Sequence, residues 1–242
     1  MANRRSDVLL GVSTYNEGEN IEAWLKHWSS LVDDIVIVDQ NSTDDTIDRI
    51  NRFKATSDVS IDVFSAPTLG KCEPVYQAIE IMATHSNKWL LKMDVDEFMT
   101  PKQFNRLMEI AIKAKRDYNS TCVMIARKNM VDGADLSRIF ANPSDEHGRD
   151  WQIRLSHGMV LNFGFGSHTH PAINGRWIMA DADEVYIEHR RTFDGIVKAN
   201  ITREKYLTPE AQRNQRAFIA KIGEVLGKTP EEVMAEVQKY VC

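Results

Sequence analysis

A chain of 242 residues, 43% hydrophobic and 27% charged, is built like a soluble globular protein with a sizeable core, not like a disordered or fibrous polymer. Its net charge of -5 argues neither for nor against a polyanionic partner. Its three cysteines (Cys72, Cys122, Cys242) are scattered without disulfide-framework or metal spacing, and no stretch approaches the ~18 apolar residues of a membrane span. Together with an N-terminus that enters a strand too short for a signal segment, this predicts reduced thiols, a cytoplasmic setting and no transmembrane segment.

In chain order, the first half alternates strand and helix. Val8 to Val12 reads as a buried strand, and Ile21, Trp24, Leu25 and Trp28 then recur at helical spacing. Ile35 to Val38 is apolar and β-branched, as a parallel strand covered on both faces should be. A helix is expected from about Asp44, with Ile47, Ile50 and Phe53 inward, then a strand over Ile61–Phe64 and a helix over Pro74–Thr84. The run Trp89 to Met93 is a fourth strand. Thr100-Pro101-Lys102-Gln103 is a capping signature that opens another helix, and Cys122 to Ala126 is a fifth strand.

From Val131 to Trp151, Gly, Asp, Asn and Pro dominate, which predicts a long loop, either a lid or plain surface. Strand-like pieces follow over Gln152–Leu155, Met159–Phe163 and Val185–Ile187. Beyond Phe193 the tail is helical, with starts at Thr208-Pro209-Glu210 and at the capping box Thr229-Pro230-Glu231-Glu232. The alternation predicts an α/β fold: an open, mostly parallel sheet flanked by helices, with a helical C-terminal appendage. The expected domains are a catalytic domain over 1–192, with a nucleotide-binding half to about 130 and an acceptor half over 131–192, and a helical extension over 193–242.

In such sheets ligands sit beyond the C-terminal ends of the strands. Four polar loops occupy those positions: Ser13 to Glu17, Asp39 to Asp45, Ala66 to Lys71, and Asp94 to Glu97. In the last, two carboxylates two residues apart point the same way if the backbone is extended, so Asp94 and Asp96 can share one hard divalent cation, Mn²⁺ or Mg²⁺. An exposed acidic loop is the plainer alternative. In the first loop Tyr15 can flank a base and Glu17 can accept from sugar hydroxyls; capping by Asn20 or Ser13 is its alternative. Asp39 ends a strand as a ribose-reading carboxylate does, unless Ser42 or Thr43 merely caps a helix there. Lys71 can meet a phosphate as a point charge.

Val12-Ser13-Thr14-Tyr15-Asn16-Glu17, Asp39-x-x-Ser42-x-Asp44-x-Thr46 and Asp94-Val95-Asp96-Glu97 together resemble the signature of glycosyltransferase family 2. The resemblance implies the GT-A fold, a nucleotide-sugar donor, inversion at the anomeric carbon and a Mn²⁺ or Mg²⁺ cofactor. It places Thr14, Tyr15, Asn16, Glu17, Asp39, Ser42, Lys71, Asp94 and Val95 around the nucleotide-sugar, with Asp94 and Asp96 on the metal. His189 is a further metal candidate, since some GT-A enzymes use a late His. The second half is similar to the small soluble branch that includes lipopolysaccharide core glucosyltransferases, through Gln152-Ile153-Arg154-Leu155, His168-Thr169-His170-Pro171, and Glu188-His189 leading to Lys198 and Tyr206. That branch usually has a carboxylate after the turn His, where this chain has Pro171.

The general base candidates are therefore His170, or His168, and a carboxylate of the acidic stretch Asp181, Asp183 and Glu184, with Asp183 preferred. Trp151, Phe163, Phe165 and Trp177 can stack on a sugar or belong to the core. The locally basic stretch Arg190 to Lys221 suits an anionic acceptor: a lipopolysaccharide core, another glycan or, alternatively, a modified base of phage DNA. The resemblance favours a UDP-sugar donor. Rival readings are a nucleotidyltransferase, disfavoured because Ser13 to Glu17 carries no cation, and a non-catalytic nucleotide-sugar binding module. Sequence alone leaves the oligomeric state open.

Overall fold

The computed structural model describes residues 4–65, 87–140, 150–157, 162–163, 171–172, 176–202 and 204–241. The expected Pro74–Thr84 helix, the Ala66 to Lys71 loop and the His168–His170 turn lie outside them. The chain divides into two compact units, Met1–Arg127 with Trp151–Ile187, and Lys128–Asp150 with Glu188–Cys242.

The first unit holds β1 (Arg5–Thr14), α1 (Ile21–Trp28), β2 (Val32–Asp39), α2 (Thr46–Thr56), β3 (Ser60–Ser65), β4 (Trp89–Lys92), β5 (Glu97–Phe98), α3 (Pro101–Tyr118) and the start of β6 (Ser120–Val131). β1 pairs in parallel with β2 on one side and β4 on the other, and β2 with β3. The order β3-β2-β1-β4 therefore reverses direction at β1, a topological switch point whose strand ends form a natural crevice. Thr14, Asp39 and Ser65 stand in register at that edge.

Helical spacing explains α1. Ile21, Trp24, Leu25 and Trp28 are all fully buried in the core with Val8, Leu10, Ile35, Ile37 and Leu91. Trp28 meets Phe104 of α3 edge-on at 6.0 Å. α3 begins with the capping box that Thr100 and Gln103 predict, with Gln103 N–H donating to Thr100 Oγ1 at 3.2 Å and Thr100 N–H to Gln103 Oε1 at 2.8 Å. It ends where Asn119 adopts the left-handed φ of 52°.

β7 (Ala134–Asp135) returns antiparallel along the end of β6, with Val131 opposite Ala134. Asp132 and Gly133, at φ 47° and 85°, form a two-residue hairpin turn. The long loop expected from Val131 to Trp151 is thus partly ordered, since α4 (Ser137–Phe140) follows. Asp-Gly between apolar residues was the available signal for a hairpin.

β8 (Asp150–His157) runs antiparallel to β4, placing His157 against Trp89 at 4.9 Å. β9 (Asn162–Phe163) and β10 (Pro171–Ala172) form a separate small ladder. β11 (Arg176–Met179) lies parallel to β6, and β12 (Tyr186–Arg191) begins in the first unit.

Lys115 Nζ lies 2.8 Å from His157 Nε2, and burial, aided by that ammonium, pushes the imidazole below its ordinary value. The unfolded chain then takes up the proton first as pH falls. Stability contributed by neutral His157 is whole above about pH 6.5, the unfolded imidazole value, and is lost as pH falls through the depressed folded value. Urea midpoints measured from pH 8 to pH 5 are expected to fall less in His157→Gln than in the wild type; parallel curves would contradict this.

The second unit contains α5 (Phe193–Ile201), a 3₁₀ turn (Glu204–Tyr206), α6 (Pro209–Val225) and α7 (Pro230–Gln238). Phe193, Ile196, Val197, Ile219, Ile222 and Val233 share a core with Val131 and Leu136. The apolar faces of the C-terminal helices thus pack with the hairpin. The expected caps form at Thr208 and Thr229. Part of the basic stretch is already neutralised, since Glu204 takes a two-pronged contact from Arg216 at 2.7 and 2.9 Å. Among the described residues no helix is long and apolar enough to cross a membrane.

Candidate active site at the carboxyl edge of the first unit

The first two loops are bound together by short polar side chains. Asn16 adopts φ 54°, its N–H donates to Ser42 Oγ at 2.9 Å, and its Oδ1 accepts from Thr43 N–H at 2.7 Å. Glu17 N–H donates to Thr46 Oγ1, and Gly18 N–H to Asp44 Oδ2 at 3.1 Å. A Cβ on Gly18 would meet the Asp45 carboxylate, so a larger residue there would make that exposed side chain shift.

The capping alternatives for these residues are not what the structure forms. Asn20 makes no side-chain cap and donates instead to Glu17 Oε2 at 3.1 Å. Ser13 Oγ accepts from Gln40 Nε2 at 2.5 Å. At α2 it is Asp44 that accepts from Thr46 N–H, at 3.0 Å.

Asp39 is buried at the end of β2. Its Oδ1 accepts from Thr14 Oγ1 at 3.1 Å and from Ser42 Oγ at 2.5 Å, and its Oδ2 from Ser42 N–H at 2.9 Å. A carboxylate has about four acceptor positions, so these bonds orient Asp39 and leave it capacity for a ligand. Tyr15 is 43% exposed beside it and presents an aromatic face.

Met93 N–H continues the β1 ladder to Gly11 O at 3.1 Å, and the chain then turns: Glu97 N–H donates to Asp94 O at 3.0 Å. Asp94 and Asp96 therefore lie in a tight turn. The extended geometry expected for the pair is not what forms. Val95 is buried and anchors it.

Glu97, for which the sequence suggests no task, is 0% exposed and organises the turn. Its Oε2 accepts from Asp94 N–H at 3.0 Å; its Oε1 accepts from Arg154 Nη2 at 2.5 Å and Arg127 Nη1 at 3.3 Å. Its carbonyl accepts from Trp28 Nε1 at 3.2 Å. The same Arg154 Nη2 donates to Asp94 Oδ2 at 2.7 Å. Arg127 has no distinct sequence signal beyond a charge placed within an apolar strand, whereas Arg154 belongs to the Gln152-Ile153-Arg154-Leu155 motif, which does not itself point to Glu97.

Burial pushes the half-buried Glu17 carboxyl above its ordinary range, against the Asn20 hydrogen bond, and the charges of Asp96 and Asp94 push it further. Three carboxylates thus feel one another at this edge. Among the described residues, however, no three His, Cys, Asp or Glu side chains form a ready-made cation cage. The donor set fits a Mg²⁺ or Mn²⁺ ion bound by one or two carboxylates, with its remaining positions left to water and phosphate oxygens.

Lys71 and His170 fall among the undescribed residues. Asp183 is exposed in a turn where its N–H donates to Asp181 Oδ1 at 2.9 Å, and Glu184 pairs with Arg106 at 2.8 Å. His189 belongs to the second unit, buried, with its Nδ1 2.9 Å from Asn129 Oδ1. With that oxygen as acceptor, Nδ1 carries the proton. Trp177 is exposed on β11.

The sequence profile of the family described as Glycosyl transferase family 2 matches residues 10–185. No curated protein matches the chain by sequence. Among solved structures, S. aureus TarS residues 1–349 in complex with UDP is similar, with a TM-score of 0.53 and 12% identity over 89% of this chain and 70% of that one. The same region of TarS in complex with UDP-GlcNAc has a TM-score of 0.52 and 12% identity over 89% and 71%. Glucosyl-3-phosphoglycerate synthase from Mycobacterium tuberculosis, in complex with Mn²⁺, UDP-glucose and phosphoglyceric acid, is 17% identical over 56% and 47%, and its TM-score of 0.38 is too low to carry an argument.

Proposed function

The chain belongs to glycosyltransferase family 2, and we propose that it is a metal-dependent, inverting enzyme that transfers a sugar from a UDP-sugar to a hydroxyl of a glycan or lipopolysaccharide-type acceptor in the cytoplasm. It is a glycosyltransferase with an α/β, GT-A-like fold. The observation that carries the finer reading is the Asp94–Glu97 turn at the switch point of the sheet, together with a Glu17 carboxyl that burial first, and then the charges of Asp96 and Asp94, hold above its ordinary range. Negative charge gathered at the site of an incoming diphosphate calls for a cation between them.

On this reading Asp39, oriented by Thr14 and Ser42, accepts from the nucleoside, and Tyr15 covers the base. Asn16 holds the loop that presents Glu17 to the sugar, and Val95 fixes the turn. Lys71 stands near the nucleotide. Asp94 and Asp96 would hold Mn²⁺ or Mg²⁺, and the ion would neutralise the leaving diphosphate. His170 or Asp183 takes the proton of the acceptor hydroxyl, as a single inverting displacement requires.

Calorimetric titration with UDP-sugars, with and without Mn²⁺, followed by assay of donor hydrolysis, tests the reading. Donor binding that strengthens with Mn²⁺ is expected. Donor affinity and hydrolysis unaffected by chelation would overturn metal dependence.

A further inference from the structure

One guanidinium nitrogen joins two of the three carboxylates of the acidic turn. Arg154 Nη2 lies 2.7 Å from Asp94 Oδ2 and 2.5 Å from Glu97 Oε1, and the Arg154 side chain is only 11% exposed. Glu97 is wholly buried and receives Arg127 as well, at 3.3 Å. Arg154 is thus fastened from behind by a group that solvent does not reach. Its forward contact, Asp94, is 42% exposed and is the softer end of the arrangement.

We propose that Arg154 is a resident counter-cation for Asp94, so that the protein alone takes up a divalent ion weakly and takes it up tightly only together with a diphosphate. This rests on the metal-dependent reading above and adds an order of binding to it. A divalent ion on Asp94 must share that carboxylate with a guanidinium and bear the repulsion of a neighbouring positive charge. A nucleoside diphosphate arriving with the ion adds negative charge that offsets the repulsion. By linkage, the diphosphate tightens the ion as much as the ion tightens the diphosphate. Arg154 is a positioning residue in this scheme, acting through Asp94.

The test is Mn²⁺ binding followed by the free-ion paramagnetic resonance signal, with and without UDP, in the wild type, Arg154→Gln and Arg154→Lys. Removing one positive charge about 6 Å from a divalent ion in a water-like dielectric should tighten Mn²⁺ binding in the absence of UDP by roughly tenfold. A merely structural role predicts the opposite sign. Arg154→Gln should also lose roughly tenfold of the tightening by UDP, the part that the guanidinium's repulsion of the ion accounts for, whereas Arg154→Lys, which keeps the charge, should behave as the wild type does.

Arg154→Gln that binds Mn²⁺ no tighter than the wild type overturns the proposal. If that variant does not fold, as circular dichroism would show, Arg154→Lys decides: loss of the UDP effect with the charge retained is equally fatal. A wild type that takes up no Mn²⁺ even with UDP sinks the metal-dependent reading itself, which is a separate outcome.

Discussion

Replacing Asp96 by Asn is expected to lower sugar transfer by about 10³-fold while the protein stays folded. The substitution keeps the size of a half-buried side chain at the corner of a turn whose closing bond is made by backbone, from Glu97 N–H to Asp94 O at 3.0 Å. What it removes is negative charge where the proposed cation binds. Loss of one well-placed electrostatic group commonly costs about 10²–10³-fold in turnover, and loss of a metal ligand stands at the upper end. Steady-state rates across a Mn²⁺ series would measure it, with circular dichroism as the control for folding. A variant that transfers sugar at the wild-type rate would remove Asp96 from the metal site. Asp94 offers a less clean experiment, because its carboxylate is also bonded to Arg154.

The second large effect is expected on stability. Glu97→Gln preserves shape but leaves Arg154 and Arg127, only 11% and 15% exposed, without the buried carboxylate between them. An amide group also brings N–H donors to a place where Arg154, Arg127 and the Asp94 N–H already point donors. Breaking a buried pair from one side typically costs about 3–5 kcal/mol. For a chain of this size that corresponds to a fall in melting temperature of about 10 °C. Thermal denaturation followed by circular dichroism is the measurement, and a shift under about 2 °C would mean that solvent already reaches the pair.

The legible part of this protein is the part written in periodicity and end signals. Ile21, Trp24, Leu25 and Trp28 recur at helical spacing and are buried along one helix. The β-branched run Ile35 to Val38 is a buried parallel strand. Thr100 with Gln103, and Thr229 with Glu232, form the capping boxes their spacing implies. Each of these is decided within a few residues, so each can be read from them. The hairpin at Asp132-Gly133 was equally local, and was obscured by the polar composition of the segment around it.

The candidate site divides along the same line. Its strand-end acids Asp39, Asp94 and Asp96, with Glu17 after the first strand, follow from counting elements in order, since a parallel α/β sheet presents the carboxyl ends of its strands together. By itself the sequence determined the fold class and the family.

Tertiary structure decided the rest. Local pattern allows either a strand or a turn at Asp94–Glu97, and the turn is realised because Glu97 is drawn into the core beneath Trp28. Arg127 and Arg154, 30 and 57 residues away from Glu97 along the chain, supply the buried positive charge that makes this tolerable. A carboxylate is costly to bury unless its partners are in place, and the partners of Glu97 come from two other strands. That pairing is a property of the packed sheet, and no window of sequence around Asp94 contains it.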